Sequence, residues 1–151
     1  MSHSRPPETP ARQPIAHLSR RYHFVASHRL HADTLSEEAN RLTFGKCNNP
    51  FGHGHNYTAE ITLSGPVDPQ TGMVTNLADL DSFAASELLA RFDHTNLNTV
   101  DPFRDLVPTT ENLCLEIWKI FAPYPHATLR RVRVEETSNN SFEFSGVLND
   151  V

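Results

Sequence analysis

Apolar and polar residues alternate along residues 20–31, RRYHFVASHRLH, so that Tyr22, Phe24, Ala26, His28 and Leu30 share one face and His23 and His31 the other. A period of two is that of a half-buried β-strand. A second strand, roughly His55–Ser64, puts Tyr57, Ala59, Ile61 and Leu63 in one row, and that row extends back through His55 and His53. Between the two strands, Asp33–Arg41 is polar and acidic and reads as a loop. Gly65-Pro66 and Asp68–Gly72 are turn signals, with Met73-Val74 a short extended piece after them. The period then lengthens. Leu77, Leu80, Ala84 and Leu88, broadened by Phe83, form the apolar stripe of a helix capped by Asn76 and running to about Arg91 or Phe92. Asp93–Asn98 is a polar exit loop. Pro108-Thr109-Thr110-Glu111 opens a second helix, with hydroxyl caps followed by an acid in the first turn. That helix carries Leu113, Ile117, Ile120 and Phe121 on its buried face, and Pro123 and Pro125 end it. Alternation returns over 128–136, with Val132, Val134 and Glu136 on one face and Arg131 and Arg133 on the other. Ser138-Asn139-Asn140 is a hairpin turn into a last strand bearing Phe142 and Phe144.

This order, strand–strand–helix–helix–strand–strand, predicts an α+β fold: a four-stranded antiparallel sheet with two helices on one face (ββααββ). Four strands leave two edges, which are expected to pair between subunits. Residues 1–19 break the pattern, since Pro6, Pro7, Pro10 and Pro14 alternate with polar residues and show no apolar period. They read as a disordered tail preceding one domain, 20–151. The tail has no apolar core of a secretory signal. Arg5, Arg12, Arg20 and Arg21 suit a transit peptide, but the four prolines oppose an amphipathic helix, so a cytoplasmic location is expected.

Charge removes other classes of function. The formal net charge of −5 and the absence of a basic block give no electrostatic footprint for nucleic acid, and no apolar run is long enough to span a bilayer. Two cysteines far apart in sequence do not make a disulfide framework and fit a reduced compartment.

Histidine is the outlier, with nine in the chain, and the densest chemistry lies in Phe44–Tyr57, FGKCNNPFGHGHNY. His53 and His55, two apart at the start of a strand, point to one face and can chelate one ion. Gly52 and Gly54 remove bulk beside them. A third nitrogen is best supplied by His28, with His31 and His23 as competitors. Three neutral imidazoles with a fourth position open is the catalytic zinc pattern. Cys47 lies across an Asn-Asn-Pro turn from the histidines. Lys46 and a bound cation are expected to lower its thiol pKa, making it a base or nucleophile. Cys114, inside the second helix, reads as a packing residue. Asp93-His94 is either a helix-end cap or a proton-transfer pair. Glu136 ends an apolar row, an odd place for a carboxylate, where it can pair with an arginine or accept two hydrogen bonds from a guanidine-like edge.

These stretches resemble the 6-pyruvoyl-tetrahydropterin synthase family, of the tunnelling-fold superfamily that handles pterins and purines. The resemblance covers roughly residues 20–148. It is carried by FxxSH at Phe24–His28, FGKCNNPxGHGHNY at Phe44–Tyr57, GMVxNLxDL at Gly72–Leu80, DHxNL at Asp93–Leu97, TTEN at Thr109–Asn112 and ETxNN at Glu136–Asn140. It implies Zn2+ on His28, His53 and His55, a catalytic Cys47 supported by Asp93 and His94, and a pterin-anchoring Glu136. Thr109, Thr110 and Glu111 would line the pterin pocket. The implied reaction converts 7,8-dihydroneopterin triphosphate to 6-pyruvoyl-tetrahydropterin and triphosphate, in tetrahydrobiopterin biosynthesis. The implied assembly is a homohexamer of two stacked trimers, each trimer closing its sheets into a barrel, with active sites between subunits. A sister family, 6-carboxy-tetrahydropterin synthase of queuosine biosynthesis, typically has its cysteine four residues before the first histidine of HGH; here Cys47 precedes His53 by six. A folate-pathway relative typically has glutamate where Cys47 stands. A non-catalytic zinc- or pterin-binding member of the fold is the remaining alternative, and the presence of Cys47, Asp93 and His94 together weighs against it.

Overall fold

Two long strands pair without a break and fix the position of everything else. In the computed structural model, which describes residues 11–147, β1 spans Ile15–His28 and β2 spans His53–Pro66. They run antiparallel from Ile15 opposite Pro66 to His28 opposite His53. β1 thus begins five residues before the expected domain start, and Ile15–Ser19, assigned to the tail by sequence, are paired strand residues. Their proline-free run Ile-Ala-His-Leu-Ser alternates as β1 does, so these five residues belong to the strand; residues 1–10, where the rest of the expected tail falls, lie outside the described residues.

The sheet is five-stranded and mixed, in the order β3-β1-β2-β4-β5, where β3 is Thr95–Asn96, β4 Thr128–Thr137 and β5 Asn140–Phe144. The four antiparallel strands expected from sequence are present. β3 adds itself parallel to the β1 edge, Thr95 opposite Ala26, and two residues are too few to show a period. The segment 33–41, expected as a loop, runs into α1, Glu37–Phe44, which begins within it. Ser36 caps it, Oγ accepting from the Ala39 N–H at 3.1 Å, with Glu37 and Glu38 in the first turn. It buries only Asn40, whose side chain clamps the backbone of Ala32, Leu35 and Ser36. Met73-Val74 does not form a strand.

The helical pair forms as its stripes require. α2, Leu77–Ala84, starts at Asn76, whose side chain accepts from the Ala78 N–H at 2.8 Å. It continues through a π turn, Ala85–Leu89, into α3, Ala90–Phe92. α4 is Thr110–Phe121. Both helical stretches lie on the sheet face bearing Tyr22, Phe24, Tyr57, Ile61, Val132 and Val134, all buried. Tyr22 stacks on Phe121 at 6.3 Å, and Phe24 meets Phe92 at 6.4 Å. Each such side chain contributes about 1.5–3 kcal/mol through burial. The other face is polar. Glu60 accepts from Arg21 at 2.8 Å and Arg131 at 2.6 Å, and Ser19 and Thr62 share a 2.7 Å hydrogen bond. Among the described residues, no helix is long and apolar enough to cross a membrane.

Candidate metal centre

The β1–β2 register assembles three histidines at one end of the sheet. His28 faces His53 directly, and Ala26 faces His55, so the three imidazoles stand on the face that carries the core. Their Nε2 atoms form a triangle with every side 3.2 Å. Nitrogens 2.0–2.1 Å from a tetrahedral ion stand about 3.3 Å apart, so the triangle fits a single ion. The His28 Nδ1–H donates to the Pro108 carbonyl at 2.9 Å, which leaves the Nε2 lone pair facing its neighbours. Tyr57 Oη lies 3.2 Å from the same Nδ1. Burial, the largest cause, pushes the His28 and His55 pKa values below the ordinary histidine value, and the nearby imidazoles lower both further. They are therefore neutral donors at pH 7.

Gly52 brings the loop close to this site. At φ +68°, its backbone passes the His28 carbonyl so tightly that a Cβ would stand 2.6 Å from the oxygen. No L side chain fits there without moving the His28 backbone.

His23 and His31 are elsewhere. His23 Nδ1 is 3.0 Å from Thr58 Oγ1 on the opposite sheet face, and His31 Nδ1 is 3.1 Å from the Asn48 amide. Of the three candidates, His28 is the one whose ring nitrogen joins those of His53 and His55.

Glu136 continues the Val132–Val134 row and ends against the imidazoles, Oε1 standing 3.0 Å from His55 Nε2 and 3.5 Å from His28 Nε2. Cys47, in the tight turn Gly45–Asn48, completes a second group, since potential ligand atoms of His28, Cys47 and Glu136 lie within 4.8 Å of one another. Burial first, then the Glu136 carboxylate, raises the Cys47 thiol pKa. The expected help from Lys46 is missing, because that side chain lines a separate cavity. A cation on the histidines acts in the opposite sense, favouring thiolate. Cys114 is the buried packing residue expected, its Sγ donating to the Val132 carbonyl at 3.4 Å and its pKa pushed by burial up to about 11.

Asp93 and His94 are not brought to this cluster within the chain. They sit at the β1 edge beside Val25, whose N–H donates to Asp93 Oδ1 at 2.9 Å, while the His94 N–H donates to the Val25 carbonyl at 2.6 Å. Val25 precedes His28 by three residues, about 10 Å of strand. The two side chains are 3.7 Å apart, and His94 is 81% exposed with φ +56°. Thr109 caps α4, accepting from the Asn112 N–H at 3.2 Å. Thr110 Oγ1 is buried without a hydrogen-bond partner among the described residues, and Glu111 is exposed. The Pro108 carbonyl and Tyr57 hydroxyl behind His28 are site residues that sequence reasoning missed; a backbone oxygen leaves no residue-type signal, and Tyr57 reads simply as core.

A five-stranded mixed sheet with helices on one face and three histidines that could hold a metal beside one thiol defines the class, and the comparisons then specify the family. A profile described as 6-pyruvoyl tetrahydropterin synthase matches residues 17–147. The chain is 47% identical over 133 residues to 6-pyruvoyl tetrahydrobiopterin synthase of Homo sapiens, covering 87% of this chain and 92% of that protein. The solved 6-pyruvoyl tetrahydropterin synthase of Caenorhabditis elegans superposes with a TM-score of 0.85 at 40% identity, covering 90% of this chain and 99% of that one. A putative 6-carboxy-5,6,7,8-tetrahydropterin synthase of Archaeoglobus fulgidus is 40% identical over 87 residues, 58% of this chain and 70% of that protein. The chain belongs to the 6-pyruvoyl tetrahydropterin synthase family.

Proposed function

We propose that this protein is a zinc-dependent lyase converting 7,8-dihydroneopterin triphosphate to 6-pyruvoyl-tetrahydropterin and triphosphate, acting in the cytoplasm in tetrahydrobiopterin biosynthesis. The observation that carries the reading is the convergence of His28, Cys47 and Glu136 ligand atoms within 4.8 Å beside His53 and His55. His28, His53 and His55 would hold Zn2+, the ion that three neutral imidazoles suit. When bound there, it supplies Lewis-acid chemistry, acidifying C–H bonds next to the substrate's side-chain hydroxyls. Cys47, as thiolate, removes the carbon-bound proton. Glu136 accepts from the aminopyrimidine edge of the pterin and sets which side-chain carbon faces the thiol. Thr110, with its unpartnered hydroxyl, and its neighbours Thr109 and Glu111 are assigned to the pterin pocket. Hydrogens move within the substrate, so no external redox cofactor is required.

Asp93 and His94 transfer a proton at a substrate hydroxyl. Their exposure at the β1 edge supports a role across a subunit boundary, in a homohexamer of two trimers with sheets closed into barrels. Incubation of the purified protein with 7,8-dihydroneopterin triphosphate, followed by mass analysis, tests the assignment. A pyruvoyl product with one triphosphate released is expected. A 6-carboxy product would move the protein to the sister reaction.

A further inference from the structure

A groove of about 500 Å³ lies at the opposite end of the sheet from the histidines. The end of β2, the start of β4 and the connection leaving α4 wall it. Pro66, Trp118, Tyr124, Pro125, His126 and Leu129 give it a surface of rings and apolar carbons. The β1–β2 pairing runs from His28 opposite His53 at one end to Ile15 opposite Pro66 at the other. That is about 40 Å of strand, so the groove has no part in the metal centre. Packing holds its walls in place. Tyr124 and Leu129 are buried, and Tyr124 Oη shares a 2.8 Å hydrogen bond with Thr75 Oγ1. The Trp118 ring meets Phe144 edge-on at 5.0 Å, and Tyr124 meets His126 edge-on at 5.5 Å. The Gly146 backbone passes so near Trp118 that a Cβ would stand 2.8 Å from a ring carbon. Trp118 is half-buried, and the rim residues Pro66, Pro125 and His126 are exposed.

The N-terminal segment enters the fold at this same end. Ile15, the first residue of β1, stands opposite Pro66, and the Val67 N–H donates to the Pro14 carbonyl at 2.9 Å. The chain is thus tied down beside one wall of the groove. Residues 11–14 are exposed, and residues 1–10 precede them outside the described residues. Residues 5–10 read RPPETP, in which Pro7 and Pro10 have the P-x-x-P spacing of a polyproline II segment. The proposed reaction makes no use of it. At about 3.1 Å per residue, Pro10 falls about 15 Å and Pro7 about 25 Å of chain from Ile15. β4 is two strands from β1, about 10 Å away. The groove is within reach, with chain to spare.

We propose that this groove is the docking site of residues 5–10 of the same chain, with the P-x-x-P stretch lying against Trp118 and the Tyr124–His126 edge. Grooves walled by aromatic rings take such segments because the polyproline II form is set before binding, so little freedom is lost. Proline rings pack on aromatic faces, and the free carbonyls of the segment can accept from donors such as an indole N–H. A weak contact suffices. A short tether supplies an effective concentration of order 1 mM, so a Kd of about 0.1 mM keeps the groove about nine-tenths filled. The docking goes beyond the lyase reading and does not depend on it.

Trp118 is the only tryptophan in the chain, so its fluorescence reads the groove. In the full-length, zinc-loaded protein, replacing both Pro7→Ala and Pro10→Ala should shift Trp118 emission to longer wavelength and raise its quenching by acrylamide. Zinc content should not move. A synthetic peptide of residues 2–14, added at about 1 mM to match the tether, should reverse both changes in the double variant and leave the wild type as it is. The same peptide with both prolines replaced by alanine should reverse neither. His126→Ala keeps the segment but trims the groove wall; it should expose Trp118 as the proline variant does, and the peptide should not restore shielding. Identical emission and quenching in the wild type and the double variant would overturn the proposal. Shielding of Trp118 that appears only as protein concentration rises would also overturn it, and would assign the groove to a second copy of the chain.

Discussion

The histidine cluster, built from β1 and β2, and the Asp93–His94 turn, hydrogen-bonded to Val25 three residues before His28, are built in opposite ways. Each imidazole of the cluster is fixed by strand register, and His28 is 1% exposed, backed by a carbonyl and close to a tyrosine hydroxyl. The Asp93–His94 pair is wet, its imidazole is largely exposed, and its backbone sits in the left-handed region at φ +56°. Such a conformation in a residue other than glycine costs of order 1 kcal/mol and persists where the surroundings impose it; here the two hydrogen bonds to Val25 hold it. A buried, fully supported group can act within its own chain. An exposed, rigidly presented one is arranged for something outside it. On the proposed reading, the difference separates a metal and thiol half held within the chain from a proton-transfer half that a neighbouring copy would use.

The largest effect expected against that contrast is at the buried half. His53→Ala should take the protein from about one zinc per chain to none and abolish turnover, as metal analysis and a triphosphate-release assay would read. Retention of wild-type zinc would remove His53 from the ligand set. His94→Ala should keep zinc but lower kcat by about 10²–10⁴-fold. Coexpressing Cys47→Ala and His94→Ala chains should restore part of the activity if the halves meet across subunits, whereas no restoration would place them in one chain. Next comes the backbone device. Gly52→Ala should cost about 1–3 kcal/mol, lowering the thermal midpoint by several degrees, and should weaken zinc binding through His28. An unchanged midpoint would contradict the 2.6 Å approach. The smallest effect on the chemistry is expected on the polar sheet face. Glu60→Gln should leave zinc and kcat alone and lower stability by about 1–3 kcal/mol at pH 7. The Arg21 hydrogen bond, the largest cause, holds the Glu60 carboxyl below its ordinary 4.5. Its stabilisation is therefore present above that value and lost as pH falls below it. Unfolding curves of the two proteins should converge in acid, and a gap that persisted there would contradict the ion-pair account.

Much of this was legible before any coordinates. The two-residue period gives the face on which His28, His53, His55 and Glu136 meet, and the carboxylate at the end of a valine row is visible as an anomaly. Register supplies what period alone cannot, namely that His28 stands opposite His53. The misses have physical reasons. α1 has only two turns and one buried residue, so it lacks a stripe, although its Ser-Glu-Glu start is a cap signal. β3 is two residues long. Lys46 and Cys47 adjoin in a tight turn, where successive side chains diverge, so adjacency in sequence is not adjacency in space. Asp93-His94 is readable as a motif but not as a place, because nothing in the sequence says that this turn is held at the β1 edge beside Val25.

The account turns on Cys47 acting beside a metal that it does not hold. Cys47→Ala, assayed for bound zinc and for triphosphate release from 7,8-dihydroneopterin triphosphate, tests this most directly. The expected result is about one zinc per chain, as in the wild type, with triphosphate release reduced by at least about 10²-fold. Unchanged release, or zinc lost together with the thiol, would contradict it.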